Sequence, residues 1–193
     1  NADLRDRAVA LEFNNALPGD HNKLLLIAYY GLNSAHTNPA KAQKTRIHEW
    51  INKNIHKFKQ RNPLATVVLV GDTNAAKSSN LDTDREPLGT LGPAALENDA
   101  CVIEELENMH LTDIMREKHP TTRITTRKNV NDTHRYLDRI MTTQEAATHV
   151  ATRAGTSNDL DPTPHSKEPD HKTVIADPPV DTPGPPHNSP RKW

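Results

Sequence analysis

One candidate site for chemistry is the point where an apolar run ends in Gly71 and is followed by Asp72 and Asn74. The run, residues 65–70, is apolar and β-branched, which is typical of a buried strand. Ligands of open α/β sheets collect beyond strand ends, and residues two positions apart on an extended chain point to the same side. The Asp72 carboxylate can then orient or deprotonate a water while the Asn74 amide donates to a phosphoryl oxygen. An ordinary turn explains the same two residue types, so both interpretations stay open.

A second candidate is a pairing between Asp138 and His171. Strand alternation places Asp138 on the same face as Tyr136 and Ile140, which we expect to point inward. An inward carboxylate needs a partner, because an unpaired buried charge is costly. Asp170 and His171 point to opposite sides of an extended chain, so His171 is free to pair with Asp138 and to use its other nitrogen as acid, base or phosphate donor. The alternatives are an edge strand with Asp138 in solvent and a solvated His171.

Apolar patterning predicts the elements that position these residues. Residues 24–30 form an apolar run that ends at Gly31, and residues 7–13 are its predicted hairpin partner. A helix is predicted from Asn38-Pro39 up to Pro63, since it carries one apolar stripe, made of Ile47, Trp50, Ile51, Ile55 and Phe58. The other predicted elements are a helix at 93–109 and short strands at 121–126, 136–141 and 173–176.

Three further residues receive structural interpretations. Cys101 lies in an apolar helix segment and is predicted to be a small core residue. His48 and His56 lie eight positions apart and are predicted to be on the helix surface. The eleven His residues show no spacing typical of a zinc site.

Composition limits the classes of protein that this chain can belong to. The 193 residues suit one domain, and 24 Lys+Arg against 25 Asp+Glu argue against a clamp that binds nucleic acid by bulk positive charge, while a local basic groove stays open. The hydrophobic share of 34% is low, so either the core is thin or part of the chain is unfolded. One cysteine cannot form an internal disulfide, which indicates a reducing compartment. No membrane-spanning run or signal segment is visible, so we expect an intracellular protein that is not secreted, with the nucleus among the compartments open to it and with no membrane association.

The C-terminal region differs in composition from the rest. Residues 155–193 hold nine of the fifteen prolines. We therefore predict one domain at 1–176, with a flexible loop at 155–169, and a disordered Pro-rich tail at 177–193.

Taken in order, five segments resemble the endonuclease/exonuclease/phosphatase superfamily, which includes deoxyribonuclease I, abasic-site endonucleases and the reverse transcriptase-associated endonuclease domains of LINE-type retrotransposons. Residues 25–33 look like its strand ending in Tyr, and residues 68–74 look like its Gly-Asp-x-Asn motif. Residues 134–140 and 169–174 are similar to its Ser-Arg-Ile/Leu-Asp-Tyr/Arg-Ile and Ser-Asp-His-x-Pro-Val motifs. Residues 111–120 are similar to the Leu-x-Asp-x-x-Arg-x-x-His-Pro segment of the retrotransposon branch.

The resemblance, which covers about residues 5–180, implies an α+β fold. That fold is a four-layer α/β/β/α sandwich like that of deoxyribonuclease I. It implies hydrolysis of a phosphodiester with Mg²⁺, or Mn²⁺ in its place, and DNA as the partner. Asp170 would lie near the metal or support the site.

The resemblance also implies a role for each candidate residue. His171 would be the phosphate-facing acid or base, and Asp138 would orient it. Asp72 would position the attacking water, and Asn74 and Tyr30 would hold phosphate oxygens.

The chain departs from the family pattern at its N-terminal side. The family has an early half that supplies a metal-binding Glu, whereas only 29 residues precede Tyr30. Glu12 lies on the adjacent predicted strand and is not assigned that role. The chain thus resembles the C-terminal portion of the domain with the N-terminal part missing. Half of such a sandwich would expose apolar edges, and loss of the main carboxylate should weaken or abolish the site.

Three functions therefore remain in competition. One is a DNA-nicking endonuclease domain of a LINE-type mobile element, or a remnant of one. Another is a catalytically inactive remnant that acts as a binding or interaction module. The third is a phosphatase of the same superfamily.

Overall fold

The computed structural model describes residues 7–16, 23–32, 37–77, 81–83, 93–128, 134–147, 153–156 and 171–177. The helices are α1 (Asn38–Arg61), α2 (Pro93–Glu107) and α3 (Ile114–Lys118), with a 3-10 turn at Gln144–Ala146. The strands are β1 (Ala8–Phe13), β2 (Leu24–Tyr29), β3 (Thr66–Asp72), β4 (Leu111–Asp113), β5 (Arg127–Lys128), β6 (His134–Arg135), β7 (Asp138–Thr143), β8 (Arg153–Thr156) and β9 (Val174–Asp177).

A mixed five-stranded sheet in the order β1-β2-β3-β7-β4 is the centre of the fold. β1 and β2 form the predicted antiparallel hairpin, and β2 pairs in parallel with β3, with α1 as the crossover between them. β7 runs antiparallel to both β3 and β4. Two small sheets, β5–β6 and β8–β9, complete the topology of the described residues. The predicted α+β class is confirmed.

The main core lies between one face of this sheet and α1. The Thr37 side chain caps the helix by accepting a hydrogen bond from the Ala40 amide, and Pro39 occupies the first turn, where its missing N–H costs nothing. The predicted stripe is buried except at Trp50, which is partly buried. It packs against alternate residues of the sheet, among them Leu25, Ile27, Val67, Leu69 and Met141.

An ionic cluster fills the same face at the β7 end. Arg139 is 2% exposed and pairs with the Asp113 carboxylate, and its Nη2 lies 3.0 Å from Oδ2 of Asp82. Asp113 also caps α3 and accepts a hydrogen bond from the Tyr136 hydroxyl at 2.9 Å. Arg116 lies 2.5 Å from the other oxygen of Asp82. The acidic and basic members of the segment 111–120 therefore tie β4, α3 and β7 together.

Several local predictions are wrong, for identifiable reasons. Residues 121–126 form no strand, because the Ile124 amide donates to the Leu81 carbonyl while the Thr126 hydroxyl and carbonyl accept from residues 137, 138 and 172, so no single neighbouring strand forms a ladder with this segment. Cys101 is exposed on α2 and not a core residue. His48 is buried and not on the surface, since it packs between Tyr29 and Glu105.

The C-terminal predictions are met in part. The predicted last strand is present as β9, while Gly155 and Thr156 belong to β8 and not to a loop. Residues 157–170 and 178–193, which contain most of the predicted loop and tail, lie outside the described residues. Among the helices of the described ranges, none has the length and apolar character needed to cross a bilayer.

Candidate functional site

Asp72, Asp138 and His171 converge at one end of the central sheet. Asp72 is the last residue of β3 and Asp138 the first of β7, and the two lie directly opposite each other in the ladder. His171 is placed beside them by an isolated bridge to Arg127. One ligand atom from each of the three side chains lies within 4.8 Å of those of the other two, and all three residues are half-buried. The sequence motifs are thus brought together as predicted.

A hydrogen bond joins His171 to Asp138. Nδ1 of His171 lies 3.0 Å from Oδ2 and 3.2 Å from Oδ1 of Asp138, so Nδ1–H is the donor when the imidazole is neutral. That arrangement fixes the tautomer and leaves Nε2 as the atom that can accept or deliver a proton.

Thr126 holds both sides of this pair in place. Its hydroxyl accepts hydrogen bonds from the backbone amides of Leu137 and Asp138, each at 3.0 Å. Its carbonyl accepts one from the amide of Lys172 at 2.6 Å. Thr126 is a supporting residue that the sequence did not single out. The only signal was that segment 121–126, which ends at Thr126, lacks the alternation of apolar and polar residues typical of a strand.

The turn after β3 has the tight backbone that its glycine predicts. Gly71 has a φ of 146°, and a Cβ there would lie 1.8 Å from the carbonyl oxygen of Tyr29. The amide of Asn74, a residue with a φ of 51°, donates to Oδ1 of Asp72 at 2.8 Å. This bond orients the Asp72 carboxylate beside Asp138.

The Asn74 side chain is buried and already has partners. Its Nδ2 donates to the carbonyl of Gly31 at 3.0 Å, and its Oδ1 lies 3.4 Å from a guanidinium nitrogen of Arg127. Gly31 in turn donates its amide to the Asp72 carbonyl at 2.7 Å. Asn74 therefore ties β2 to β3 and has a second amide hydrogen for any ligand.

Electrostatics at the site favour a bound cation or proton. Burial raises the pKa of Asp72 above its ordinary value, and the neighbouring Asp138 carboxylate raises it further. The Asn74 amide acts in the opposite direction without reversing the rise. Two carboxylates that face each other across a ladder repel, and a positive charge between them would relieve that repulsion.

The donor atoms fit a divalent cation. Two carboxylates and one imidazole within 4.8 Å of one another suit a hard ion that takes its remaining ligands from water and substrate phosphate. A cavity of about 360 Å³ borders the group, and its lining includes Gly71, Asp138, His171 and Lys172.

Two predicted residues are not part of this group as described. The Tyr30 side chain is exposed and its ring contacts the Arg7 guanidinium at 4.8 Å. Asp170, the predicted metal neighbour, lies outside the described residues. Glu12 forms an ion pair with Arg61 at 2.6 Å.

Solved structures with the same fold come from nucleic-acid enzymes. The 3' phosphatase NExo from Neisseria, bound to product DNA hairpin, matches with a TM-score of 0.65 and 15% identity over 90% of this chain and 65% of that one. The Xenopus laevis APE2 catalytic domain matches with a TM-score of 0.67 and 16% identity, over 92% of this chain and 58% of that one. The endonuclease domain of TRAS1, a telomere-specific non-LTR retrotransposon, matches with a TM-score of 0.56 and 13% identity, over 92% of this chain and 65% of that one.

These likenesses confirm the fold that was predicted from the resemblance. This chain spans 58 to 65% of the length of the three solved chains, as expected for part of the domain. No protein-family model matches the sequence. No curated protein matches it either.

Proposed function

We propose that this chain carries the catalytic end of a metal-dependent nuclease domain that hydrolyses phosphodiester bonds in DNA. The observation that supports this most directly is the Asp138–His171 hydrogen bond beside Asp72, at the end of β3. The finer proposal is the DNA-nicking domain of a LINE-type mobile element. Its support is the segment 111–120 and the fold likeness to the retrotransposon endonuclease domain.

We assign to Asp72 the role of positioning and partly deprotonating the attacking water. Its carboxylate is held by the Asn74 amide, and its raised pKa makes it a stronger base than an exposed Asp. A water that donates to the Asp72 carboxylate would be oriented and partly deprotonated for attack on phosphorus.

His171 is the residue we assign to the phosphate. With Nδ1–H donated to Asp138, Nε2 can accept a proton or, when protonated, donate to a non-bridging phosphate oxygen as charge builds there. The remaining amide hydrogen of Asn74 is a further donor for the same oxygens. Tyr30 and Asp170 keep their proposed roles as phosphate and metal neighbours.

Asp72 and Asp138, with His171 beside them, would hold the cation, Mg²⁺ or Mn²⁺. When bound, that ion would supply Lewis-acid polarisation of the phosphate and neutralise charge. The residues of the chain would orient the water, hold the phosphate and move the protons.

Two other functions have specific support. An inactive remnant that acts as a binding module is favoured because this chain spans only 58 to 65% of the length of the three solved chains. A phosphatase is favoured by the likeness to a protein described as a 3' phosphatase.

A nicking assay on supercoiled plasmid, with Mg²⁺ and with EDTA, tests the proposal. We expect Mg²⁺-dependent nicking by the parent chain, at least 100-fold slower in Asp72→Ala. The matched control is Glu49→Ala, which removes an exposed carboxylate of α1. A folded chain that neither nicks nor hydrolyses a phosphomonoester is the remnant, and hydrolysis of 3'-phosphate ends without nicking identifies the phosphatase.

A further inference from the structure

Arg127 is a half-buried cation at the edge of the candidate site. It begins β5, and its backbone forms the bridge to His171. One guanidinium nitrogen lies 3.4 Å from Oδ1 of Asn74. Among the residues that the structure describes, this is the one hydrogen bond of the guanidinium, and no ion pair joins it to Asp72 or Asp138. Since a guanidinium has five N–H donors, most of them are open to a ligand.

The charge of Arg127 nevertheless reaches the site. Burial raises the pKa of Asp72, and the positive charges of Arg127 and His171 act against that rise. A guanidinium that served only to neutralise nearby carboxylates would be expected to pair with one of them through two N–H groups. Because Arg127 instead faces the Asn74 amide oxygen, its planar fork is available to another anion, and phosphate has the matching geometry.

Lys172 is a second cation at the same site. The residue is half-buried, and its backbone amide is held by the Thr126 carbonyl at 2.6 Å. It borders the cavity of about 360 Å³ at His171 and also a second cavity of about 410 Å³, whose lining includes Gly155. Within the described ranges, its ammonium group has neither a hydrogen bond nor an ion pair. Lys172 is therefore a held backbone position with a charge available to a ligand.

We propose that Arg127 and Lys172 bind successive phosphates of one DNA strand, Arg127 the phosphate that His171 faces and Lys172 the next one. Arg127 extends towards Asn74, whereas Lys172 extends towards the second cavity. Neighbouring residues of an extended chain point to opposite sides, so the imidazole of His171 and the ammonium of Lys172 would contact different phosphates.

Neither role follows from the motifs that carry the family resemblance. Lys172 occupies the position that the Ser-Asp-His-x-Pro-Val motif leaves open, and Arg127 lies outside all five of the matching segments. Two cations placed at the site would let a chain of net charge −1 hold DNA there without a basic surface elsewhere. The inference rests on the proposed function, since it takes DNA as the substrate.

Binding of a fluorescein-labelled DNA duplex in EDTA tests the inference apart from hydrolysis. Fluorescence anisotropy gives the affinity at several KCl concentrations, and the slope of log affinity against log salt counts the phosphate contacts. Arg127→Gln and Lys172→Gln each remove one charge, and the first keeps an amide that can donate to Asn74. The matched controls are Arg46→Gln and Lys57→Gln, which remove the same charges from exposed positions of α1.

We expect each site variant to weaken binding and to lower the slope by about 0.9, the value of one phosphate contact on B-DNA, and the double variant by about twice that. Arg127→Lys and both controls should keep the parent slope, because the first retains the charge and the others lie away from the strand. If Arg127→Gln fails to fold, Lys172→Gln still decides the inference.

A parent that does not bind the duplex, or slopes that are equal in the site variants and the parent, would overturn the inference. So would equal losses of slope in the site variants and the controls, which would show diffuse attraction. A normal slope with slower nicking in Arg127→Gln would reduce Arg127 to a positioning residue of Asn74 and also overturn it. A parent that shows the expected slopes but does not nick with Mg²⁺ would refute the proposed function and leave the inference standing.

Discussion

Nδ1 of His171 lies 3.0 Å from Oδ2 of Asp138, although the two residues are 33 positions apart in the chain. Thr126 makes this possible, because it bonds to the amide of Asp138 on one side and to that of Lys172 on the other. Backbone hydrogen bonds to Thr126 therefore position both members of the pair. That is the preorganisation expected of a group that holds a proton at a defined atom.

Removing either member of this pair should have non-additive effects on nicking. Asp138→Asn is expected to slow Mg²⁺-dependent nicking about 100-fold, since an amide no longer fixes the imidazole tautomer. His171→Ala removes the imidazole itself, and the double variant should be less slow than the product of the two single losses, because the role of Asp138 in orienting the imidazole is already lost with His171 while its role at the cation is not. Single-turnover rates on plasmid measure this, with Glu49→Gln as the control; multiplied losses would show that the two residues act independently.

The pKa of Asp72 predicts a pH-dependent gain in stability for Asp72→Asn. Burial raises that pKa and the Asp138 carboxylate adds to the rise, so the native state binds the Asp72 proton more tightly than the unfolded state. Stability is then lost as pH rises from the ordinary Asp range through the raised value. Asp72→Asn removes this loss and keeps an acceptor for the Asn74 amide.

Thermal melting of the two proteins checks this. The variant should melt at a higher temperature than the parent at neutral pH, and the difference should vanish near pH 3, at about which the parent carboxyl is protonated in both states. Mn²⁺ or Mg²⁺ should raise the melting temperature of the parent and not that of the variant. A variant that melts below the parent at neutral pH would contradict the cause assigned to the shift.

The candidate group was predictable from the order of its motifs more than from any one of them. Asp72 follows an apolar run typical of a buried strand, and strand alternation set the face of Asp138. The pairing of Asp138 with His171 followed from the cost of an unpaired inward carboxylate. The hairpin of β1 with β2 and the start of α1 were predictable for a similar reason, since an apolar run that ends at a glycine and a proline in the first helical turn are local signals.

Other features depend on contacts that no local pattern reports. His48 occupies a polar position of α1, yet α2 brings Glu105 to within 2.5 Å of its Nδ1 and buries it. Arg139 alternates with Asp138 and lies on the opposite face of β7, which is covered too, and Asp82 and Asp113 neutralise the buried guanidinium. Burial on both faces of a strand cannot be read from alternation.

Truncating Arg139 should destabilise the fold strongly. Arg139→Ala would leave the buried Asp113 and Asp82 carboxylates without the guanidinium that pairs with both. Removing one partner of a buried ion pair lowers the free energy of unfolding by about 3–5 kcal/mol. Arg116 remains beside Asp82, so the loss falls mainly on Asp113. Urea denaturation measures the free energy of unfolding. Arg46→Ala, on the exposed side of α1, is the control and should change it by less than about 0.5 kcal/mol.

His48 should make the stability of the protein sensitive to mild acid. Burial lowers the pKa of His48, and the hydrogen bond to Glu105 only partly offsets this, so the unfolded state takes up the proton first as pH falls. Stability is therefore complete above about pH 6.5 and lost as pH falls towards 5. Glu105 does not produce the same effect. Burial raises the pKa of Glu105, but the hydrogen bonds from Lys44 and His48 outweigh burial and lower that pKa, so Glu105 takes up its proton only in stronger acid.

Two histidines of the same helix allow a matched test of this dependence. His48→Gln should flatten the change in melting temperature between pH 7 and pH 5, roughly the interval in which an unfolded-state imidazole titrates. His56→Gln, which removes an exposed imidazole of α1 in contact with Gln60, should keep the slope of the parent. A parent slope that survives in His48→Gln would assign the acid sensitivity to another group. A slope lost in both variants would show that burial of His48 is not its cause.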